Sequence, residues 1–269
     1  MAPDRPLVMG VVNVTPDSFS DGGRYLDHEA AVAHGLRLVA EGADVIDVGG
    51  ESTRPGAEPV PDAEELDRVV PVVAALSPEV RVSVDTRKVV VATAAIAAGA
   101  TLVNDVSASL HQVAADAGVG WVAMHMLGDP RTMQQRNPRY GDVVAEVAAF
   151  LVERAERGRT AGVRELWIDP GIGFGKTAAH NLALLGRLDE LVATGFGVMV
   201  ATSRKRFLGA LLARADGVDE PVPAGDRLEG SLATAVWCYA AGAGMVRAHD
   251  VAETVAAARI VSNGPRPVS

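Results

Sequence analysis

Short apolar runs alternate along the chain with longer segments of helical period, and each run closes on a polar residue. Leu7–Val12 is a nearly unbroken apolar stretch, too short for a membrane span and suited to a strand buried on both faces. Comparable runs follow Gly42, Gly99, Gly118, Gly162, Gly195 and Gly242, reading ADVIDVGG, ATLVND, VGWVAMH, VRELWID, FGVMVATS and AGMVRAH. A glycine suits the left-handed residue that ends a helix, and the apolar run after it suits a parallel strand. Val80–Val84 completes a set of eight, and Glu29–Ala40, Ala63–Leu76 and Gly141–Ala161 are long enough for crossover helices. The closing polar residues are Asn13, Asp47, Asp85, Asn104, His125, Asp169, Ser203 and Arg247. A doubly wound sheet would gather ligand groups at one switch point, whereas a closed barrel brings all strand ends to one face, and the even spread favours the barrel. The expected fold is therefore α/β, a single (β/α)8 barrel domain over residues 1–269 with mobile loops at the C-terminal ends of the strands. Ala213–Arg227 reads as a long mobile loop.

Composition narrows the class. With 48% hydrophobic and 22% charged residues, the 269-residue chain can bury a large core, which excludes disordered and fibrous classes. The 25 basic and 34 acidic residues give a formal charge of -9, which disfavours nonspecific binding to nucleic acid or anionic membrane. The lone Cys238, in an apolar helical stretch, excludes an intrachain disulfide and suits a core thiol. The N-terminal residues lack a charged segment followed by an apolar one and a cleavage site, so a soluble cytoplasmic protein is expected.

Candidate chemistry lies just beyond the apolar runs. After Asn13 the chain turns polar through Thr15, Pro16, Asp17, Ser18, Ser20 and Asp21 to Gly22 and Gly23, so a buried strand delivers a hydroxyl- and carboxylate-bearing loop. In GGESTRPGA the glycines permit tight turns, while Thr53 and Arg54 bring a hydroxyl and a two-pronged guanidinium suited to phosphate or diphosphate. Asp85, Asn104 and Asp169 end otherwise apolar strands, and buried polar groups need partners. A planar heterocycle with alternating donors and acceptors would satisfy all three, as would backbone groups of nearby loops.

DPGIGFGKT only superficially resembles a phosphate loop, because Pro170 stands where GxxxxGK[ST] needs its first glycine. Its glycines instead let the backbone pass close to a flat ligand, with Phe174 as a wall. Thr202–Arg206 gathers three cations and a hydroxyl where a helix begins, a place suited to anions. Arg247 and His249 alternate along an extended segment, and Asp250 is placed to cap the last helix. None of the six histidines forms HxH or HExxH, which argues against zinc, while a magnesium ion held by a few oxygens and phosphate fits.

Taken together, MGVVNVTPDSFSDGG, GGESTRPGA, VSVDT, VNDV, MHMLGDPRTMQ, DPGIGFGKTAAHN, SRKRFLG, EGSLATAV and RAHD closely resemble the dihydropteroate synthases along essentially the whole chain. The resemblance implies a transferase, a usually dimeric barrel that joins 6-hydroxymethyl-7,8-dihydropterin diphosphate to 4-aminobenzoate in folate synthesis, releases diphosphate, and is a sulfonamide target. It places Asp85, Asn104, Asp169 and Lys205 on the pterin, with Met124 lining the same pocket. Asn13 matches the magnesium-associated asparagine, and Thr53, Arg54, Arg247 and His249 match diphosphate-side positions. Phe19, Ser20 and Asp21 match a mobile first loop, and Pro55, Phe174 and Ser203 match the aminobenzoate subsite, bordered by Lys205. Asp21, Arg54, Lys205 and His249 are the expected catalytic groups.

Two departures from the family pattern are Ala108 and Ser109 after NDV, where glycine or arginine is frequent, and Ala201, where glycine is. A weak or silent pterin-binding paralogue would keep the pterin residues without needing the two loops. A pterin-barrel methyltransferase would have no use for Thr53, Arg54 or SRK, and an unrelated phosphate-binding barrel leaves the first signature unexplained.

Overall fold

A computed structural model describes residues 5–15, 24–52, 57–128 and 138–263. Eight parallel strands close into a barrel in sequence order, β1 pairing with both β2 and β8. The strands are β1 (Leu7–Asn13), β2 (Val45–Gly49), β3 (Arg81–Asp85), β4 (Leu102–Asp105), β5 (Gly120–Met124), β6 (Leu166–Asp169), β7 (Gly197–Val200) and β8 (Met245–Ala248). Between them run α1 (Arg24–Ala40), α2 (Asp62–Leu76), α3 (Val89–Ala97), α4 (His111–Ala117) and α5 (Val143–Ala161). The second half carries α6 (Ala178–Gly186), α7 (Leu188–Val192), α8 (Arg206–Asp216), α9 (Leu228–Ala240) and α10 (Val251–Asn263).

The two-residue period of each strand sorts its side chains between two cores. Val12, Ile46, Val84, Val103, Trp121, Ile168, Val200 and Val246 point outward and are buried against the helix layer. Met9, Val45, Leu102, Val122, Met199 and Met245 point inward and fill the barrel. Two residues farther along the same inward faces stand Asp47, Asn104, Met124 and Arg247, with Asp169 following Trp167 on β6. The polar strand ends thus form the layer directly above a packed apolar floor, at the C-terminal mouth.

Local chemistry sets the helix ends. Asp142 caps α5 by accepting from the amides of Val144 and Ala145, and Gly162 ends it at φ 104°. Thr177 and His180 form a capping box that starts α6 directly after the DPGIGFGK segment.

Two expectations need correction. The stretch from Ala213 is not a loop throughout: α8 continues to Asp216 and stops at Gly217, φ 71°, because its apolar face still packs through Ala213. The connection beyond it is held by Arg227, whose guanidinium donates to the carbonyls of Val222 (2.7 Å) and Arg204 (2.8 Å). The Asp250 carboxylate is turned toward the Arg204 guanidinium and forms an ion pair with it, and its carbonyl receives the amide of Thr254. Ala108 takes a left-handed conformation, φ 50°, a backbone geometry that glycine adopts without strain.

Candidate active site

The mouth is built around Arg247. Its Nε donates to Asp47 Oδ2 at 2.6 Å and a terminal nitrogen donates to Asp85 Oδ2 at 3.0 Å. The same Asp47 oxygen receives Asn104 Nδ2 at 2.9 Å, which orients the Asn104 amide and leaves its carbonyl oxygen as the acceptor for a ligand. Asp47, fully buried, also holds a second carboxylate oxygen with no hydrogen-bond partner among the described residues. Register supports the cluster, since Asp85 lies beside Asn104 and Met124 beside Asp169.

One guanidinium shared by two carboxylates leaves excess negative charge, and the pKa values register it. Burial and then the like charge of Asp47 push Asp85 up to about 7, while Arg247 pulls the other way. Burial opposes the charge of Arg247, yet Asp47 and Asp85 hold its pKa above the ordinary value. On the other side, burial raises Asp169 despite Lys205, the Gly171 amide at 2.7 Å and Lys176. Burial lowers Lys205 to about 8, Asp169 resisting.

Ser203, Arg204 and Lys205 diverge because Arg204 takes φ 58°. Lys205 turns into the mouth, donating to the Ile172 carbonyl with its ammonium 4.6 Å from the centroid of the Phe174 ring. Ser203 and His249 face each other, Oγ to Nδ1 3.0 Å, and the His249 amide donates back to Oγ at 3.1 Å. Arg204 turns away to Asp250 and Arg206 is exposed, so of the three expected anion-binding cations only Lys205 faces the mouth. This ion pair also offsets the cost of a basic helix start.

Asp85, Asn104, Met124, Asp169, Phe174, Ser203, Lys205, Arg247 and His249 are therefore gathered at the C-terminal mouth, with Asn13, half-buried, at the end of β1. Arg247 is directed at Asp47 and Asp85 inside the barrel, whereas His249, two residues on, meets Ser203. Phe19, Ser20, Asp21, Thr53, Arg54 and Pro55 lie outside the described residues.

Sequence reasoning named Asp47 as a strand end but did not place it in the site; its signal was a lone carboxylate midway along VIDVG. It missed two further groups. Glu51 accepts from the Val60 amide (3.0 Å) and from Arg87, and pairs with Lys88 (2.8 Å). Lys88 also meets Glu65, 1% exposed, at 2.6 Å. This network ties together the chain on either side of the STRPGA segment, and charges isolated along the sequence give no warning of it. The other missed residue is Lys176, buried beside His125.

A flat heterocycle entering this mouth meets acceptors on Asp85, Asn104 and Asp169, an apolar wall at Met124, and Lys205 above Phe174. Net negative charge would favour a cationic form of such a ring. Among the described residues no group of three or more His, Cys, Asp or Glu side chains is placed to hold a metal.

Comparison with known proteins places these residues in context. A sequence model of the family described as pterin binding enzyme matches residues 9–249. The dihydropteroate synthase of Mycobacterium leprae is 49% identical over 262 residues, covering 94% of this chain and 92% of that protein. The Xanthomonas albilineans dihydropteroate synthase solved with 4-aminobenzoic acid superposes with a TM-score of 0.88 at 49% identity, covering 97% and 95% of the two chains. The same enzyme solved with 7,8-dihydropteroate gives 0.84 at 46%, with the same coverage.

Proposed function

The chain belongs to the pterin binding enzyme family, and from that premise we propose that it catalyses the dihydropteroate synthase reaction. It joins 6-hydroxymethyl-7,8-dihydropterin diphosphate to 4-aminobenzoate and releases 7,8-dihydropteroate and diphosphate. The observation that carries this reading is the mouth itself, where Asp85, Asn104 and Asp169 stand at strand ends together with Lys205 over Phe174.

The chemistry follows from charge. The bond between the pterin methylene carbon and the diphosphate oxygen breaks first, the electron pair leaving with diphosphate, and the positive charge spreads into the dihydropterin ring. Asp85 and Asp169 favour that cation, and a neutral or positively lined pocket would not. The amine nitrogen of 4-aminobenzoate then forms the new carbon–nitrogen bond and gives up one proton. Phe174 and Ser203, and by the family resemblance Pro55, are assigned to its subsite. By the family resemblance Thr53, Arg54 and His249 are assigned to the departing diphosphate and Phe19, Ser20 and Asp21 to the exclusion of water, while Arg247, tied to Asp47 and Asp85, holds the carboxylates of the pterin side. No covalent enzyme intermediate is required.

Asn13 offers one amide oxygen at a strand end, which suits a magnesium ion that takes most of its ligands from water and substrate phosphate. When bound, magnesium neutralises charge on the diphosphate. The protein acts in the cytoplasm as a homodimer. No described helix is long and apolar enough to cross a membrane, and Trp237, 59% exposed beside Val236 on α9, supplies an apolar face suited to pairing. Sedimentation of Trp237→Glu, expected to run as monomer where the parent runs as dimer, checks that assignment; an unchanged dimer contradicts it.

The test of function is steady-state formation of 7,8-dihydropteroate, expected only when both substrates are supplied. Binding of the pterin diphosphate without product would instead identify a noncatalytic pterin-binding paralogue.

A further inference from the structure

Lys176 closes the DPGIGFGK segment that carries Asp169 and Phe174, yet the proposed chemistry gives it no role. The residue is 3% exposed, and among the described residues no carboxylate touches its ammonium. Instead the nitrogen lies 2.9 Å from His125 Nδ1, 3.0 Å from the Gly171 carbonyl, 3.2 Å from that of Phe174 and 3.3 Å from that of His125. Three ammonium protons thus serve four acceptors drawn from the end of β5 and from both sides of one turn. Burial lowers the Lys176 pKa to about 7, with the charge of Asp169 resisting from beyond contact distance, so the buried ammonium is costly and an apolar side chain would suit a purely structural role better.

The turn that Lys176 grips is the one that carries the subsite. The Gly171 amide is tied to Asp169, the Ile172 carbonyl receives Lys205, and the Gly173 amide donates to Asn181 at 2.9 Å. The Tyr140 hydroxyl donates to the Gly175 carbonyl at 3.1 Å. The turn also lies hard against the chain after β5: a Cβ on Gly171 would fall 1.9 Å from the His125 carbonyl oxygen, and one on Gly175 would fall 2.4 Å from that of Leu127. Phe174 is itself only half-buried, so its ring depends on the backbone beneath it for its position.

We propose that Lys176 is a positioning residue for the 4-aminobenzoate subsite: seated among the carbonyls of His125, Gly171 and Phe174, its ammonium fixes the 171–175 turn so that the Phe174 ring stands beneath Lys205. The residue touches neither substrate, and it acts through Phe174. This inference rests on the dihydropteroate synthase reading, so wild-type turnover is measured first.

The variant is Lys176→Met, which keeps the stem and removes the donors. A shift of the turn of about an ångström is expected to raise the KM for 4-aminobenzoate by about tenfold to a hundredfold, and that for the pterin diphosphate by no more than about threefold. In a Phe174→Ala background the same substitution should have little further effect on the aminobenzoate KM, since the ring through which it acts is gone. Melting curves establish that each protein is folded, and Lys176→Gln, which keeps two donors for the two turn carbonyls, carries the same cycle if the Met variant does not fold. An unchanged aminobenzoate KM, equal rises in both KM values, or additive effects in the Phe174→Ala background overturns the positioning role. A wild-type protein without turnover overturns the functional reading beneath it, so the two failures are distinct.

Discussion

Asp85 shows how the pocket trades stability for chemistry. Its folded pKa, about 7, lies above the ordinary carboxyl value of 3.8 because burial and Asp47 disfavour its charge. The folded protein therefore holds this proton more tightly than the unfolded chain does. The stability so gained is fully present below about pH 4 and is lost as pH rises through about 7. Asp85→Asn removes the ionisation and leaves Arg247 paired with Asp47. Urea titrations near pH 4 and pH 8 are expected to show the variant more stable than the parent at the higher pH, by an amount on the order of 1 to 3 kcal/mol, and level with it at the lower. A parent whose stability is flat across that window contradicts the account. Asp169 makes a different point. It already receives the Gly171 amide, so its remaining capacity as an acceptor is what the pterin would use. Asp169→Asn should weaken pterin binding by about 2 to 4 kcal/mol while the protein stays folded, because a donor is presented where the ligand needs an acceptor. Calorimetry showing undiminished affinity would remove Asp169 from the pterin pocket.

Elements in this barrel deliver their end residues as a group, and some of the connections between elements are tied by charged side chains. The clearest case is the network that joins Glu51, at the start of the second loop, to Lys88 before α3 and Glu65 within α2. Thr86 completes it by donating to Glu65 at 2.7 Å. Lys88→Met would strip the cation from two carboxylates, one of them 1% exposed, and should cost about 3 to 5 kcal/mol in thermal or urea unfolding. A loss below about 0.5 kcal/mol, the size typical of surface substitutions, would mean that the network is solvated. Strands and crossover helices were legible because burial on both faces leaves unbroken apolar runs, and glycine marks the helix exits between them. The mouth residues were legible for the related reason that a polar group closing such a run has few other uses. Bonds between elements were not legible, since nothing local to Glu51, Lys88 or Lys176 says which distant group each will meet. Ala213–Asp216 was misread because its exposed polar residues hid the one face that still packs against the barrel. Arg204 was misread because only a left-handed backbone turns it from the site toward Asp250.

At the scale of the whole molecule, one closed barrel places every strand end at one mouth. Below it, Met9, Leu102, Val122, Met199 and Met245 plug the interior, so the mouth is a cup rather than the opening of a channel. The formal charge of -9 means that anionic substrates are drawn in by local cations such as Lys205, against the field of the molecule as a whole. Salt should therefore affect capture of the pterin diphosphate less steeply than it would for a basic protein. The central claim is that this carboxylate-lined mouth drives the loss of diphosphate from the pterin and passes the resulting cation to 4-aminobenzoate. Single-turnover quench experiments test it most directly: bound pterin diphosphate is mixed with 4-aminobenzoate, and diphosphate and 7,8-dihydropteroate are read in the same samples. The account predicts that the two products rise together, one for one, at a rate no slower than steady-state turnover. Pterin diphosphate that binds and is recovered unchanged, with neither product formed, would contradict it.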